Sequence, residues 1–125
     1  NRLKPVVAQN YVLATGGIFG GGIFADAAGT VSETIFNLPV AANNNRHRWF
    51  GRKFISPQGQ PVFSFGVTVN SALQPVNGGG QPAASNLFAA GAVLAGSDWT
   101  RGRTGDGIAV GSAAAIAQQL TRSAQ

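Results

Sequence analysis

The sequence predicts an α/β fold, and three observations carry that prediction: two apolar runs that stop at glycine, a β-branched stretch between them, and an amphipathic C-terminal run. Tyr11-Val12-Leu13-Ala14 stands just before Gly16-Gly17, and Asn86-Leu87-Phe88-Ala89-Ala90 runs into Gly91. Short apolar runs rich in β-forming residues and closed by glycine read as buried strands. Near the C-terminal end Ala109, Ala113, Ile116, Ala117 and Leu120 recur at spacings of three and four, which makes one apolar helical face. Asp106 is placed to cap the start of that helix, with Arg122 in its last turn.

Between these elements the reading goes in order. Ile18 to Phe24 holds Gly20-Gly21-Gly22 and is too rich in glycine for a firm strand or helix. Residues 25–62 carry Asn43-Asn44-Asn45, a basic segment and Pro39, Pro57 and Pro61, so they read as an irregular excursion with one short strand near Ile35–Leu38. Phe63 to Val69 alternates and is β-branched, which predicts a strand. Asn70-Ser71 supplies a turn, Leu73 to Val76 can pair back, and Asn77 to Pro82 is a loop. Three parts follow: 1–24 with a strand and glycine turn, 25–62 as the excursion, and 63–125 with strands and the helix.

Composition narrows the chemistry. The 125 residues suit one small domain. The chain holds no Met, so a processed product or fragment is expected. No window reaches the roughly 18 apolar residues of a membrane span, and a soluble protein is expected. With no Cys, disulfides, thiolate nucleophiles and iron–sulfur ligation are excluded. One histidine, His47, and four dispersed acidic residues fall short of a convergent ligand set, so no metal site is expected. The net charge of +5 comes largely from Arg46, Arg48, Arg52 and Lys53, but the low charge content argues against nucleic-acid binding.

Familiar catalytic signatures fail. Gly20 to Ala25 matches G-x-G-x-x-A, yet no acidic residue lies between Glu33 and Asp98, where a dinucleotide fold needs one for the ribose. A P-loop motif is absent, and so is the G-x-S-x-G elbow that a serine nucleophile paired with His47 would need. The C-terminal part is more informative. A strand stops at Gly91, a loop runs through Gly96 to Arg103, and Gly105-Asp106-Gly107 opens a helix. Backbone N–H groups at a helix start are unsatisfied and carry partial positive charge, which suits a phosphate or the carbonyl edge of a reduced flavin. On spacing alone, an ordinary capped helix packed on a sheet explains the pattern equally well.

A resemblance adds to this. Tyr11-Val12-Leu13-Ala14-Thr15-Gly16-Gly17 resembles the strand-plus-ATGG segment late in flavoproteins with two dinucleotide-binding folds. Asn86 to Gly96, followed by Gly105-Asp106-Gly107-Ile108-Ala109-Val110, resembles their C-terminal flavin segment. Gly66-Val67-Thr68-Val69, Leu73-Gln74-Pro75 and Ala92-Val93-Leu94 narrow the likeness to the B-subunit family of anaerobic glycerol-3-phosphate dehydrogenase. The resemblance implies a partial flavoprotein domain, with residues 25–62 as a cap-like or substrate-side region. It implies FAD or FMN, oxidation of glycerol 3-phosphate to dihydroxyacetone phosphate, and a cytoplasmic place beside the inner membrane. Catalytic and membrane-bound iron–sulfur subunits would be the partners, passing electrons to quinone.

By the same resemblance Thr15 and Gly16 lie near the cofactor, Gly91 and Ala92 approach its ribityl or phosphate region, and Gly105 opens the helix. Gly107, Ile108 and Ala109 then offer backbone N–H groups to the isoalloxazine ring. Two departures stand out. Ala92 takes a position where related flavoproteins often carry a carboxylate for the ribityl hydroxyls. The N-terminal G-x-G-x-x-G unit is missing, so the chain alone is expected to bind flavin weakly or not at all, to be inactive, and to self-associate through exposed apolar surface. The competing reading is a basic interaction module at Arg46 to Phe54, with aromatics between cations, that binds a polyanion or an acidic protein. Against it stands a solvated loop with Trp49 and Phe50 in the core.

Overall fold

The computed structural model describes residues 3–125. It is a small mixed α/β arrangement of six short strands, two helices and three 3-10 turns. Strand β1 (Tyr11–Leu13) pairs in parallel with β6 (Leu87–Ala89), Leu13 standing opposite Ala89. A parallel pair requires a long crossover, and all the chain between these strands provides it. Strands β2 (Ile23–Ala25) and β3 (Val31–Glu33) form an antiparallel hairpin, and β4 (Val40–Ala41) pairs antiparallel with β5 (Gly66–Val67).

The continuous apolar run of β6 is explained by cover on both faces. Leu87 and Ala89 join Leu13, Ile23, Leu38, Val67, Val93 and Leu94 in the main core. Phe88 and Ala90 turn the other way and meet Ile116 of the long helix. A third cluster of Trp49, Val62 and Phe65 sits under the middle of the chain. Full burial of a side chain such as Ile116 contributes about 1.5–3 kcal/mol.

The structure corrects the sequence reading in four places. Ile35–Leu38 is not a strand: Thr34–Phe36 forms a turn and Asn37–Leu38 is irregular. The carboxylate of Glu33 accepts hydrogen bonds from the Ile35 and Phe36 amides, each at 2.7 Å, and this closes the turn before an extended pairing can form. The strand expected over Phe63 to Val69 shrinks to Gly66–Val67, because Pro61 starts a 3-10 turn over Pro61–Ser64. Ile23-Phe24, read as indeterminate, belongs to β2, which runs across the division drawn between residues 24 and 25. Its hairpin loop is closed by Asp26, whose carboxylate accepts from the Thr30 amide at 2.8 Å; that bond holds the carboxyl below its ordinary range.

The fourth correction concerns the C-terminal helices. The long helix α2 spans Gly105–Ser123, so Asp106 lies within its first turn and Thr104 takes the flanking position. The capping aspartate is Asp98, one helix earlier, whose Oδ1 accepts from the Thr100 and Arg101 amides at the start of α1 (Trp99–Gly102). Ile108, Ser112, Ala115, Ile116 and Leu120 face inward, whereas Ala109, Ala113 and Ala117 are exposed. Alanine buries little area, so the larger Ile108, Ile116 and Leu120 set which face turns inward. The pairing of Leu73–Val76 back on Thr68 and Val69 agrees with the sequence reading, as do the strands at residues 11–13 and 87–89.

Candidate functional site

Because β1 and β6 are parallel and in register, they end side by side. Gly16-Gly17 and Gly91-Ala92 therefore meet at one edge. A methyl on Gly17 would come within 2.9 Å of the Ala92 carbonyl oxygen, so the two strand ends approach closely there. Gly91 holds φ +75°, a left-handed conformation that other residues adopt only at a cost of about 1–2 kcal/mol. This turn redirects the chain into a 3-10 turn, Gly91–Val93, against which α2 packs.

Ser112 locks that joint. Its Oγ accepts the Gly91 amide at 2.9 Å and donates to the Ile108 carbonyl at 2.6 Å, so the strand end and the first turn of α2 are tied by one hydroxyl. From the other side the Ser97 hydroxyl reaches the Gly91 carbonyl at 3.4 Å. Leaving the Gly91 amide unpaired would cost about 1–3 kcal/mol.

The start of α2 lies beside this edge. Its hydrogen-bond ladder begins with the Ile108 amide donating to the Thr104 carbonyl at 2.8 Å. The amides of Gly105, Asp106 and Gly107 precede the ladder and are its orphan donors. Ile108 thus has its N–H engaged within the helix, and its side chain packs against the main core. Ala109 stands with its Cβ 3.9 Å from where a Gly91 side chain would begin.

Two hollows open here. A cleft of about 120 Å³ is lined by Gly16, Gly17, Phe19, Phe63, Ala92 and Trp99 among others. A wider hollow of about 570 Å³ lies at the helix start between Trp99, Thr100, Arg103, Gly105, Asp106 and Gly107. A separate apolar hollow of about 540 Å³, lined by Val6, Tyr11, Phe36 and Leu87 among others, sits at the opposite end of β1 and β6, away from the glycine-ended edge. Thr15 lines neither of the first two. Its Oγ1 is buried without a hydrogen-bond partner, lying close to Gly22 beneath the glycine turn.

The structure brings Gly16, Gly91, Ala92, Gly105 and Gly107 into one region, but sets Thr15, expected beside the cofactor, beneath the glycine turn. The sequence reading missed Trp99, Phe63, Phe19 and Ser97. A lone tryptophan in a glycine-rich loop between a strand and a helix was the available signal for Trp99. The basic segment is used internally in part: Trp49 is buried and donates its indole N–H to the Asn43 carbonyl, and Arg46 donates to the Ala27 carbonyl. Phe50, expected in the core, is exposed.

Comparison with known proteins places the chain in a family. A family model described as an FAD binding domain matches residues 2–110, from before β1 into the second turn of α2. The chain belongs to the FAD-binding domain family. Within that family it is similar to the B subunit of anaerobic glycerol-3-phosphate dehydrogenase from Vibrio cholerae serotype O1, at 35% identity over 116 residues. The corresponding subunit of Aliivibrio fischeri is 31% identical over 121 residues, and a probable one from Halobacterium salinarum is 38% identical over 107. These alignments cover 93%, 97% and 85% of this chain, and 26%, 26% and 24% of the relatives. The chain therefore spans about a quarter of the length of the curated relatives it matches. No solved structure matches. No helix among the described residues is long and apolar enough to cross a membrane, and those residues hold no cluster of metal-ligating side chains.

Proposed function

We propose that this chain forms the strand-end and helix-start part of the flavin site in the B subunit of an anaerobic glycerol-3-phosphate dehydrogenase, built as a domain with two dinucleotide-binding folds. The observation that carries the reading is the meeting of two glycine-ended parallel strands with the open end of α2. The residues present fit a flavin. The edge is backbone-lined at Gly17 and Ala92, where any larger side chain at Gly17 would intrude. The orphan amides of Gly105, Asp106 and Gly107 suit the electron-rich carbonyl edge of the ring.

In this reading the redox chemistry, two electrons taken from a secondary alcohol to give a ketone, belongs to the bound flavin. The chain supplies position and electrostatics. Gly16, Gly91 and Ala92 present backbone to the cofactor, and the start of α2 holds partial positive charge where the reduced ring carries negative charge. Ile108 and Ala109 fix that helix start against Gly91, while Thr15 supports the glycine turn from below. Ala92 offers no carboxylate for the ribityl hydroxyls, so that role falls to another segment of the longer protein. The family favours FAD over FMN. Partner subunits, an electron path toward quinone and a place at the membrane through those partners complete the proposal. Val6, Val7, Phe54 and Ile55, each at least 80% exposed, are surface on which further chain would pack.

The test is anaerobic mixing of the FAD-loaded full-length protein and its partner subunits with glycerol 3-phosphate. Loss of the long-wavelength flavin absorbance, with dihydroxyacetone phosphate formed in equal amount, is expected. A flavin that dithionite bleaches but glycerol 3-phosphate leaves oxidised would overturn the assignment of substrate.

A further inference from the structure

Three aromatic rings from distant parts of the chain form a row beside the strand-end cleft. Phe19, in the glycine turn after β1, lies 5.2 Å from Phe63, and Phe63 lies 6.0 Å from Trp99 with the planes tilted by 38°. Trp99 is 48% exposed although it packs on this row, so one part of the indole remains open. It lines both the cleft of about 120 Å³ and the hollow of about 570 Å³ at the helix start.

Trp99 is held firmly for an exposed side chain. It begins α1, whose start is fixed by Asp98 accepting from the Thr100 and Arg101 amides at 3.1 and 3.0 Å. Its own amide donates to the Ser97 carbonyl at 2.9 Å. A methyl placed on Gly105 would come within 3.3 Å of the Trp99 Cβ, so the indole stem rests against the first residue of α2. An aromatic wall, rigidly mounted and adjoining three orphan amides, is the arrangement that binds a flat ring with an electron-rich carbonyl edge, by stacking on one side and hydrogen bonding at that edge. The smaller cleft lies below the several hundred Å³ typical of such ligands, so the ring belongs to the larger hollow.

We propose that Trp99, backed by Phe63 and Phe19, is the surface against which the isoalloxazine ring stacks. This rests on the flavoprotein reading above and adds to it a side chain that sets the orientation of the ring. Indole in contact with a flavin quenches its emission, whereas a tryptophan with a purely structural role leaves that emission alone.

The experiment compares FAD binding to the full-length protein with Trp99→Phe and Trp99→Leu, following affinity and the emission of the bound flavin. Circular dichroism and unfolding of each variant separate binding effects from folding. Trp99→Leu is expected to weaken FAD roughly three- to tenfold, and Trp99→Phe to keep most of the affinity. In both, bound flavin is expected to emit several times more strongly. Bound FAD with unchanged emission and affinity in folded variants would overturn the stacking role while leaving the flavoprotein reading intact. Failure of the unsubstituted protein to bind any FAD would overturn the flavoprotein reading itself.

Discussion

Gly22→Ala is expected to lower the stability of the protein by about 3 kcal/mol or more, over a hundredfold in the ratio of folded to unfolded chain. Gly22 is buried where the glycine turn crosses the end of β1, and an added methyl would collide with the Gly16 carbonyl and the Thr15 hydroxyl. The Gly16 carbonyl cannot yield cheaply. Gly16 is part of the turn itself, and the Gly22 carbonyl is anchored by the Thr34 amide at 3.1 Å and the Thr34 hydroxyl at 3.3 Å. Moving Gly22 would therefore drag both the strand-end edge and the β2–β3 hairpin. Gly111→Ala is the matched control. It sits exposed in α2 with nothing within 4 Å of an added methyl, so a gain of up to about 1 kcal/mol is expected. Denaturant unfolding of the two variants checks both signs; a neutral Gly22→Ala would mean the turn is far looser than its contacts indicate.

Glu33→Ala is expected to cost about 3 kcal/mol, a large loss for one acidic residue. Glu33 is 1% exposed and stands opposite Ile23 in the hairpin register. Its two carboxylate oxygens each accept one backbone amide, Ile35 to Oε1 and Phe36 to Oε2. Truncation removes both charge-assisted bonds and leaves a void beneath the turn. Glu33→Gln keeps one acceptor but points a donor at the other amide, so a smaller loss, about half, is expected. Unfolding measurements on the pair check the order. Equal stability of Glu33→Ala and the unsubstituted protein would show that the turn at Thr34–Phe36 is held by something else.

These two residues also show why part of the fold escaped the sequence. Strand β6 was legible because both of its faces are covered, which leaves an unbroken apolar run, and α2 because Ile116 and Leu120 repeat with helical spacing. The β2–β3 hairpin was not. Its first strand follows three glycines, its loop is closed by an aspartate side chain, and its last residue is a buried glutamate that no hydrophobic pattern marks. Gln60 escaped for the same reason: it is buried, accepts the Gly51 amide, and donates to the Lys53 and Phe54 carbonyls, stapling a loop that reads as merely polar.

The candidate site divides along the same line. Its backbone elements were legible because glycine marks the places where strands stop and where α2 begins. The side chains that wall it were not, since Phe19, Phe63 and Trp99 come from three separate segments and meet only after the chain has folded.

The most direct test is a flavin titration of the full-length protein and of this chain alone, with FAD and FMN in separate arms, followed through the isoalloxazine absorbance and emission. Saturable, one-to-one FAD binding is predicted for the full-length protein, and weak or undetectable binding for the chain alone, because strand ends and a helix start form only part of the site. Absence of any saturable flavin binding by the full-length protein would contradict the assignment of this edge to a flavin.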